Sequence, residues 1–276
     1  MQSSEMNEAN RRYWDALAPS WRDLRDQDQL WRKIPQQPAL AFDGEALAMI
    51  ERYSGNLSGK RVCVIASGDN YVSFALAGMG SQVTSTDISG EQLAVAQARA
   101  KELALPIEFI RADATRLEGL ADNTYDLVCS SNGLFVWIAE PGQVFQQVQR
   151  VLKPGGFYIF YDVHPFQRPW KDQVQPLEME QPYDATGPFA YSEAGHPSYE
   201  FHWRMSDLLN PLAESGLVLR QMAESPAKDA RFWEGPAYTP AQESRLSVWQ
   251  HNPRAGLPVW LTVAAQKTLA AQKTLA

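Results

Sequence analysis

Apolar and polar positions divide the first 163 residues into alternating strand-like and helix-like segments. Short apolar runs bounded by turn residues predict buried strands, and longer runs with apolar positions three and four apart predict helices. The predicted strands are 61–66, 81–87, 107–113, 125–131 and 157–163, and the predicted helices are 71–80, 90–104 and 141–156. Such alternation predicts an α/β fold, Rossmann-like and doubly wound, with a mostly parallel sheet covered on both faces.

The regular alternation ends after Val163. Residues 164–204 carry six prolines among many aromatic residues, which predicts an irregular cap because proline interrupts both helices and central strands. A helix at 205–216 and strands at 217–225 and 257–267 follow. We therefore expect one domain, divided into an N-terminal cap helix region (1–43), a core (44–163), a cap insertion (164–204), a C-terminal helix with the last two strands (205–268) and a tail (269–276). The tail repeats AQKTLA, and two copies do not make a repeat architecture.

Composition and charge narrow the function classes. The net charge of −7 argues against a nucleic-acid partner, because that binding depends on Lys and Arg neutralising phosphates. No window reaches the roughly 18 apolar residues of a membrane span, and residues 1–14 have no apolar core of signal-peptide type. Cys63 and Cys129 lie in apolar strand-like runs, which is typical of small buried residues. We expect a cytoplasmic protein with no membrane partner.

The turn after the first strand, in VCVIASGDNY at 62–71, is placed like a nucleotide-binding loop but keeps one glycine, Gly68. Asp87 ends the second strand, at the spacing from which a carboxylate accepts hydrogen bonds from ribose hydroxyls. That spacing suits dinucleotide and adenosyl cofactors alike. A nicotinamide site normally keeps a glycine-rich turn for the pyrophosphate, and no Tyr-x-x-x-Lys pattern is present, so an NAD-binding oxidoreductase is the weaker alternative.

Several segments together resemble a class I S-adenosylmethionine-dependent methyltransferase of the small-molecule, UbiE-like type. The resemblance runs in order over about residues 44–165 and is carried by the strand-turn-helix at 61–79, TSTDIS, RADAT, YDLVCSSNGLFVWIAEP and RVLKPGGFYIFYDVHPF. The most specific piece is RVLKPGG, where Pro154 ends a helix and two glycines turn the chain. The resemblance implies a seven-stranded sheet with a reversed C-terminal strand. It also implies S-adenosylmethionine as cofactor, S-adenosylhomocysteine as product and no metal.

The family's first motif has an acidic residue and three glycines, and this chain departs from it. Val64 stands in place of the acid, and Ala66, Gly68 and Asn70 stand at the glycine sites. Alanine is the smallest replacement and asparagine tolerates a left-handed backbone, so the loop can still turn. Substitutes for the acid are Asp69, Tyr13, Trp14 and Arg22.

Asp113 matches the family position that binds the adenine amino group, and its alternative role is a helix cap. Ile88 and Ala114 would flank the adenine. The cofactor-binding residues that the resemblance implies are Tyr13, Trp14, Ala66, Ser67, Gly68, Asp69, Asn70, Asp87, Ile88, Asp113, Ala114 and Ser130.

The implied reaction is methyl transfer to N or O, less readily to S or C, of a small molecule. His164 directly follows the fifth strand and is either a general base or a structural hydrogen-bonding residue of the HPFQRPW turn, with His202 as second choice for the base. The candidate substrate residues are Phe135, Trp137, Trp170 and Trp203. This aromatic density favours a flat or ring-containing substrate in a lidded pocket over a peptide in an open groove. The alternative function is that of a non-catalytic relative, which binds the cofactor but transfers no methyl group.

Overall fold

A mixed β-sheet forms the centre of the molecule. The computed structural model describes residues 2–171, 175–193, 195–234 and 239–269. Within those residues the strands are β1 (Arg61–Val64), β2 (Gln82–Asp87), β3 (Ile107–Arg111), β4 (Tyr125–Ser130), β5 (Leu152–Val163), β6 (Phe189–Glu193), β7 (His196–Glu200), β8 (Leu217–Ser225) and β9 (Trp260–Lys267). The helices are α1 (Ser3–Asp28), α2 (Ala46–Ser54), α3 (Tyr71–Gly78), α4 (Gly90–Glu102), α5 (Pro141–Val151), α6 (Met205–Glu214), α7 (Arg231–Glu234) and α8 (Pro240–Leu246).

The main sheet has the order β3-β2-β1-β4-β5-β9-β8, counting seven strands in the described part of the chain. The first five strands of the sheet pair in parallel, and β9 runs antiparallel to both β5 and β8. This confirms the predicted Rossmann-like fold with a reversed C-terminal strand. The chain leaves β1 toward β2 on one side and returns to β4 on the other, so the crevice for a ligand is expected at the carboxyl ends of β1 and β4.

Both faces of the sheet are covered, as the continuous apolar strands predicted. Val62 and Val64 pack in a core with α2 and α3, while Cys63 and Ile65 pack in a second core with α5 and α6. All four side chains are completely buried, and burial of such a side chain contributes about 1.5–3 kcal/mol. Cys63 and Cys129 are both free and buried, as predicted, and burial raises the pKa of both thiols.

Helix α1 lies across the carboxyl edge of the sheet and joins the core to the cap. Its buried Asn10 donates to the carbonyl oxygens of Trp137 and Tyr199, at 3.2 and 2.9 Å, and accepts from the Tyr199 N–H at 2.7 Å. On the other side Arg99 of α4 donates to Asp26 at 2.8 Å and to the Arg22 carbonyl at 3.1 Å. An amide that bonds the backbone of β7 and of the turn after β4 holds α1 in one register.

Two parts of the C-terminal half differ from the sequence-based expectation. The insertion 164–204 contains the antiparallel hairpin β6–β7, whose short strands and internal Pro197 gave no strand signal. The chain between β8 and β9 contains the short helices α7 and α8, which the sequence analysis did not predict. The second AQKTLA copy, at 271–276, lies outside the described residues. No helix among the described residues is long and apolar enough to cross a membrane.

Candidate active site

The turn after β1 has a left-handed backbone at all three positions where the family has glycine. The φ angles are +46° at Ala66, +49° at Gly68 and +66° at Asn70. Left-handed conformations cost a non-glycine residue about 1–2 kcal/mol, least for asparagine. The loop therefore keeps the path that three glycines would give it, although two of them have been replaced.

A buried polar network holds this turn from behind. The Asn70 side-chain amide donates to the Gly68 carbonyl at 2.7 Å, and its side-chain oxygen contacts the Ser85 hydroxyl. Ser85 also lies within hydrogen-bond distance of the Ser67 and Ser73 hydroxyls, at 2.8 and 3.1 Å. Asn70, Ser73 and Ser85 are completely buried. Such a satisfied network can stabilise a strained turn, which explains how the chain tolerates the missing glycines.

Asp87 ends β2 beside this turn with a buried carboxylate. Its Oδ2 accepts the Gly68 N–H and its Oδ1 accepts the Ser89 N–H, both at 2.9 Å. Burial raises the pKa of Asp87, and these backbone hydrogen bonds oppose the effect. Each oxygen keeps a lone pair, and no cationic side chain among the described residues forms an ion pair with Asp87. A carboxylate in this state fits a ligand that donates two hydroxyl hydrogen bonds, as the ribose of the family's cofactor does.

Asp113, after β3, combines both roles considered for it. Its Oδ1 accepts the Thr115 N–H and hydroxyl at 2.8 and 2.7 Å, which is a local turn cap. Its Oδ2 accepts the Asn7 side-chain amide of α1 at 3.0 Å. Ala114 beside it is buried and Ile88 is half-buried. The amide N–H₂ of Asn7 therefore donates to the carboxylate that the resemblance assigns to the adenine amino group, and contact of Asp113 with adenine remains a prediction.

Helix α1 also reaches the turn after β1. Arg25 forms an ion pair with Asp69 at 2.9 Å, and its guanidinium lies 5.1 Å from the centre of the Tyr71 ring. Asp15 accepts the Ser89 hydroxyl at 2.7 Å. The sequence analysis missed Arg25, which has no motif of its own and reaches the turn only through the path of α1. The Arg25–Asp69 pair offers one charge of each sign beside the loop.

The other α1 residues predicted to bind the cofactor face the cap. Tyr13 donates its hydroxyl to Glu193 of β6 at 2.8 Å, and the Trp14 ring packs edge-on against Trp137 at 5.2 Å. Burial raises the pKa of the Tyr13 hydroxyl. Arg22 is exposed on α1. Contact of Tyr13 and Trp14 with the cofactor remains a prediction.

Ser130 ends β4, and its buried hydroxyl lies 2.7 Å from the Tyr158 hydroxyl. The side chain is therefore engaged in the core between β4 and β5. Its role toward the cofactor also remains a prediction.

A small cavity of about 20 Å³ opens at the carboxyl ends of β4 and β5. Its lining residues are mostly apolar or aromatic: Phe135, Val136, Asp162, Val163, Pro165, Arg168, Phe201, Trp203 and Leu208. Asp162 is 4% exposed and accepts the N–H groups of Gly133, Phe135 and Val163 at 3.0, 3.1 and 2.7 Å. Burial raises the pKa of this carboxyl, against the charge of Arg168 and these hydrogen bonds. The sequence analysis missed Asp162, whose signal was an acid at the end of a predicted strand.

The candidate bases lie apart from this cavity wall. His164 is completely buried, with Nε2 at 2.7 Å from Glu224 Oε1 and Nδ1 accepting the Phe166 N–H at 3.1 Å. Since Nδ1 is an acceptor, the proton sits on Nε2, and burial lowers the pKa of the ring. This is the geometry of the structural alternative. His202 contacts the Gln181 amide through Nδ1 and lines a second, smaller cavity.

The four aromatic residues proposed for the substrate divide into two pairs. Phe135 and Trp203 line the cavity. Trp137 packs against α1 through Tyr13 and Trp14, and the Trp170 indole N–H donates to the Phe166 carbonyl at 2.8 Å. Neither Trp137 nor Trp170 is among the residues that line the larger cavity.

Comparison with known proteins identifies the domain. A family model described as a methyltransferase domain matches residues 64–160. The ubiquinone/menaquinone biosynthesis C-methyltransferase UbiE of Bdellovibrio bacteriovorus is 36% identical over 107 residues, which are 38% of this chain and 45% of that protein. A ubiquinone biosynthesis O-methyltransferase of Photorhabdus laumondii is 25% identical over 157 residues, 57% of this chain and 62% of that protein. The chain thus spans about half the length of the curated relatives it matches.

Solved structures share the fold. An S-adenosylmethionine-dependent methyltransferase from Mesorhizobium loti superposes with a TM-score of 0.59 at 20% identity, covering 81% of this chain and 98% of that one. The cyclase SpnF superposes with a TM-score of 0.54 at 18% identity, covering 81% of this chain and 80% of that one. The matched domain, the sheet order and the solved structures together show that residues 64–160 are similar to a methyltransferase domain and that the chain has the fold of S-adenosylmethionine-dependent methyltransferases.

Proposed function

We propose that this protein transfers a methyl group from S-adenosylmethionine to a nitrogen or oxygen of a small, flat or aromatic molecule. The observation that supports this most is the cavity at the carboxyl ends of β4 and β5, where aromatic side chains surround the buried carboxylate of Asp162. It opens at the edge of the sheet that also carries the turn after β1 and Asp87. Donor and acceptor would then meet at the switch point between β1 and β4.

The residues beside the turn fit the parts of the cofactor. Asp87 would accept the ribose hydroxyls, and Asp113 would accept the adenine amino group. The ion pair of Arg25 and Asp69 offers a cation and an anion to the zwitterionic amino-acid end. A Cβ added at Gly68 would meet no atom within 4 Å, so the loop backbone there is open to a ligand. When bound, S-adenosylmethionine supplies a methyl carbon activated by its sulfonium.

The protein's own part is to position the acceptor and to take its proton. Phe135 and Trp203 line the small cavity and would contact an acceptor that widens it, and alignment of two reactants is worth on the order of 7–11 kcal/mol in the best cases. Asp162 keeps an unshared lone pair on Oδ2, which accepts only the Phe135 N–H. A raised pKa makes this carboxylate a stronger base than an exposed aspartate.

The choice of acceptor atom rests on Asp162, because the relatives differ. One is named a C-methyltransferase and another an O-methyltransferase. A hydroxyl or amine brings a proton that a neighbouring carboxylate can accept. This favours N or O in the present chain.

A non-catalytic relative, or a protein with other chemistry on this fold, is the second candidate. The hydrogen bond from Asn7 to Asp113 favours it, because α1 already occupies the acceptor meant for the adenine. The cyclase SpnF has the same fold, and fold alone does not determine the reaction.

Two measurements on one preparation separate these candidates. Calorimetry should show micromolar binding of S-adenosylmethionine and S-adenosylhomocysteine, with NADH not competing. Transfer of a labelled methyl group should then be measured with a panel of acceptors that comprises phenols, aromatic amines and aromatic carboxylic acids. Turnover of any panel member supports the enzyme. Tight cofactor binding with no transfer across the panel would favour the non-catalytic relative, and tight NADH binding would contradict the cofactor assignment.

We further propose that the protein works in the cytoplasm on a small molecule rather than on nucleic acid. The two free cysteines suit a reducing compartment, and the net charge of −7 opposes a polyanionic substrate.

A further inference from the structure

The carboxylate of Asp113 is nearly closed off from solvent and is occupied by helix α1. Its side chain is 7% exposed, and its Oδ2 accepts the Asn7 side-chain amide at 3.0 Å. Its Oδ1 accepts both the N–H and the hydroxyl of Thr115. The exposed Arg116 approaches Oδ2 no closer than 3.6 Å. An amino group of a ligand would therefore compete with Asn7 for Oδ2.

The Asn7 amide and the amino group of adenine are donors of the same kind. An ionised carboxylate only accepts hydrogen bonds, so the Asn7 amide turns its N–H₂ side toward Asp113. The amino group of adenine is also a planar N–H₂ donor. A cofactor that displaces Asn7 exchanges one such hydrogen bond for another, and its net gain from Asp113 is small while the contact with Asn7 lasts.

The start of α1 is held by few contacts. Residues 3–9 form its first two turns, and Met6 and Ala9 are the buried residues among them. A surface hydrogen bond of 2.6 Å joins Ser3 to Glu140. The first N–H groups of a helix have no partner within the helix, and segments that bury little apolar surface open at a low cost in free energy.

Asn10 marks the end of this weakly held segment. Its buried amide makes three hydrogen bonds, to the Trp137 carbonyl at 3.2 Å and to the backbone of Tyr199 at 2.9 and 2.7 Å. Farther along α1, Asp26 accepts Arg99 of α4 at 2.8 Å. Residues 3–9 can thus leave Asp113 while the rest of α1 stays in place.

Building on the proposed function, we propose that the hydrogen bond from Asn7 to Asp113 is an autoinhibitory contact that the cofactor must displace. Residues 3–9 act as a latch. The latch closes on Asp113 in the free protein and lifts when the adenine amino group takes the place of the Asn7 amide. The apparent affinity for the cofactor is reduced by the fraction of molecules in which the latch is closed.

Calorimetry with S-adenosylhomocysteine tests the latch by comparing the wild type with Asn7→Ala, which removes the competing amide. The variant should bind about 2- to 12-fold more tightly, the factor that corresponds to the net contribution of one hydrogen bond. Amide hydrogen exchange of residues 3–9 in the free protein should be faster in the variant, because the latch has lost its contact with Asp113. Removal of a merely structural contact would also speed this exchange, but it would not raise the affinity.

Glu8→Gln is the matched control, since Glu8 is exposed on the same two turns and bonds Arg11 within α1. It should change the affinity less than two-fold. Asp113→Asn keeps a side-chain oxygen for the Thr115 N–H but loses the carboxylate. It should weaken binding by about ten-fold or more in the Asn7→Ala background. The loss should be smaller in the wild-type background, where the same change also removes the latch contact.

The outcomes separate the latch from the proposed function. The latch is overturned if Asn7→Ala binds S-adenosylhomocysteine no more tightly than the wild type while Asp113→Asn still weakens binding, and the cofactor assignment then stands. If Asp113→Asn has no effect in either background, or if S-adenosylhomocysteine binds none of these proteins, the proposed cofactor site fails and the latch fails with it.

Discussion

The Gly68 N–H donates to Asp87 Oδ2 at 2.9 Å, so the carboxylate that ends β2 fixes the turn that follows β1. One side chain thus shapes the loop and, in the proposed function, receives the ribose. Loss of Asp87 should therefore weaken cofactor binding in two ways, because it removes the hydrogen-bond acceptor of the ribose and releases the loop.

Asp87→Ala should weaken binding of S-adenosylhomocysteine by roughly 10- to 150-fold, because charge-assisted hydrogen bonds contribute about 1.5–3 kcal/mol. Calorimetry measures the change, and circular dichroism checks that the fold persists. Asp122→Ala is the control, since Asp122 is exposed and pairs with Arg150. Equal affinities of the Asp87 variant and the wild type would place the ribose elsewhere.

Ala66→Gly should leave the protein as stable as the wild type or raise its free energy of unfolding by up to about 1 kcal/mol. The residue sits at φ +46°, where alanine is strained by about 1–2 kcal/mol, and the greater chain entropy of unfolded glycine offsets part of that gain. Ala75→Gly, in the middle of α3, should instead destabilise by about 1 kcal/mol or more. Urea denaturation compares the two, and a clear loss at position 66 would show that the loop is not strained there.

Gly68→Ala should separate stability from cofactor binding. The added Cβ meets nothing within 4 Å, so the cost to stability is the backbone strain at φ +49°, about 1–2 kcal/mol. The methyl group would occupy space that the proposed cofactor needs, and we expect affinity for S-adenosylhomocysteine to fall more than ten-fold. An unchanged dissociation constant would mean that the cofactor does not approach this part of the loop.

His164→Ala should act on stability more than on turnover. It removes the ring nitrogen that accepts the Phe166 N–H and leaves space where a completely buried imidazole stood, which should cost about 0.5–3 kcal/mol. Burial holds the pKa of His164 below the ordinary histidine value of 6.5, so just below that pH the unfolded chain binds a proton that the folded one does not. Stability should therefore fall as the pH drops below about 6.5, and the variant should lose this dependence. A fall in turnover of about 10²–10⁴ with stability intact would restore the general-base role.

Asp162→Asn should lower methyl transfer by about 10²–10⁴ while cofactor affinity stays the same, because an amide cannot take the acceptor's proton. Because burial raises the pKa of Asp162 above the ordinary aspartate value of 3.8, the turnover rate of the wild type should fall as the pH drops through that raised pKa. Asp122→Asn serves as the control. A variant with full activity and an unchanged pH profile would show that Asp162 only anchors the loop at Gly133 and Phe135.

Local patterns in the sequence were sufficient to predict the core of the fold. Parallel strands covered on both faces are uniformly apolar, as in VCVI at 62–65. The segment RVLKPGG joins α5 to β5, but α5 ends at Val151 and β5 begins at Leu152, so the predicted helix end at 156 and strand start at 157 were wrong. Asp87 and Asp113 were found because one ends β2 and the other follows β3 by two residues, and the positions of both strands were already clear. The hairpin β6–β7 was missed because its strands are short and β7 contains a proline. Its contacts with α1 join residues far apart in the sequence, so no local sequence pattern predicts them.

The rest of the site depends on distant parts of the chain. Arg25 reaches Asp69 only because α1 crosses the edge of the sheet. His164 drew attention by its place after a strand, yet its ring points to Glu224 of β8. Position along a strand indicates the edge where chemistry takes place, while tertiary contacts decide which side chain faces it.

The placement of β9 between β5 and β8 has a consequence for synthesis of the protein. Phe157 pairs with Gln266, and Leu217 pairs with Lys267, so neither β5 nor β8 completes its hydrogen bonds until residues 260–267 have left the ribosome. Contacts of such long sequence separation slow folding and leave a strand edge open meanwhile. The nascent chain therefore carries an unpaired, apolar β5 edge while residues 164–267 are synthesised. We expect it to depend on chaperones, or on slow elongation, during that interval more than after release.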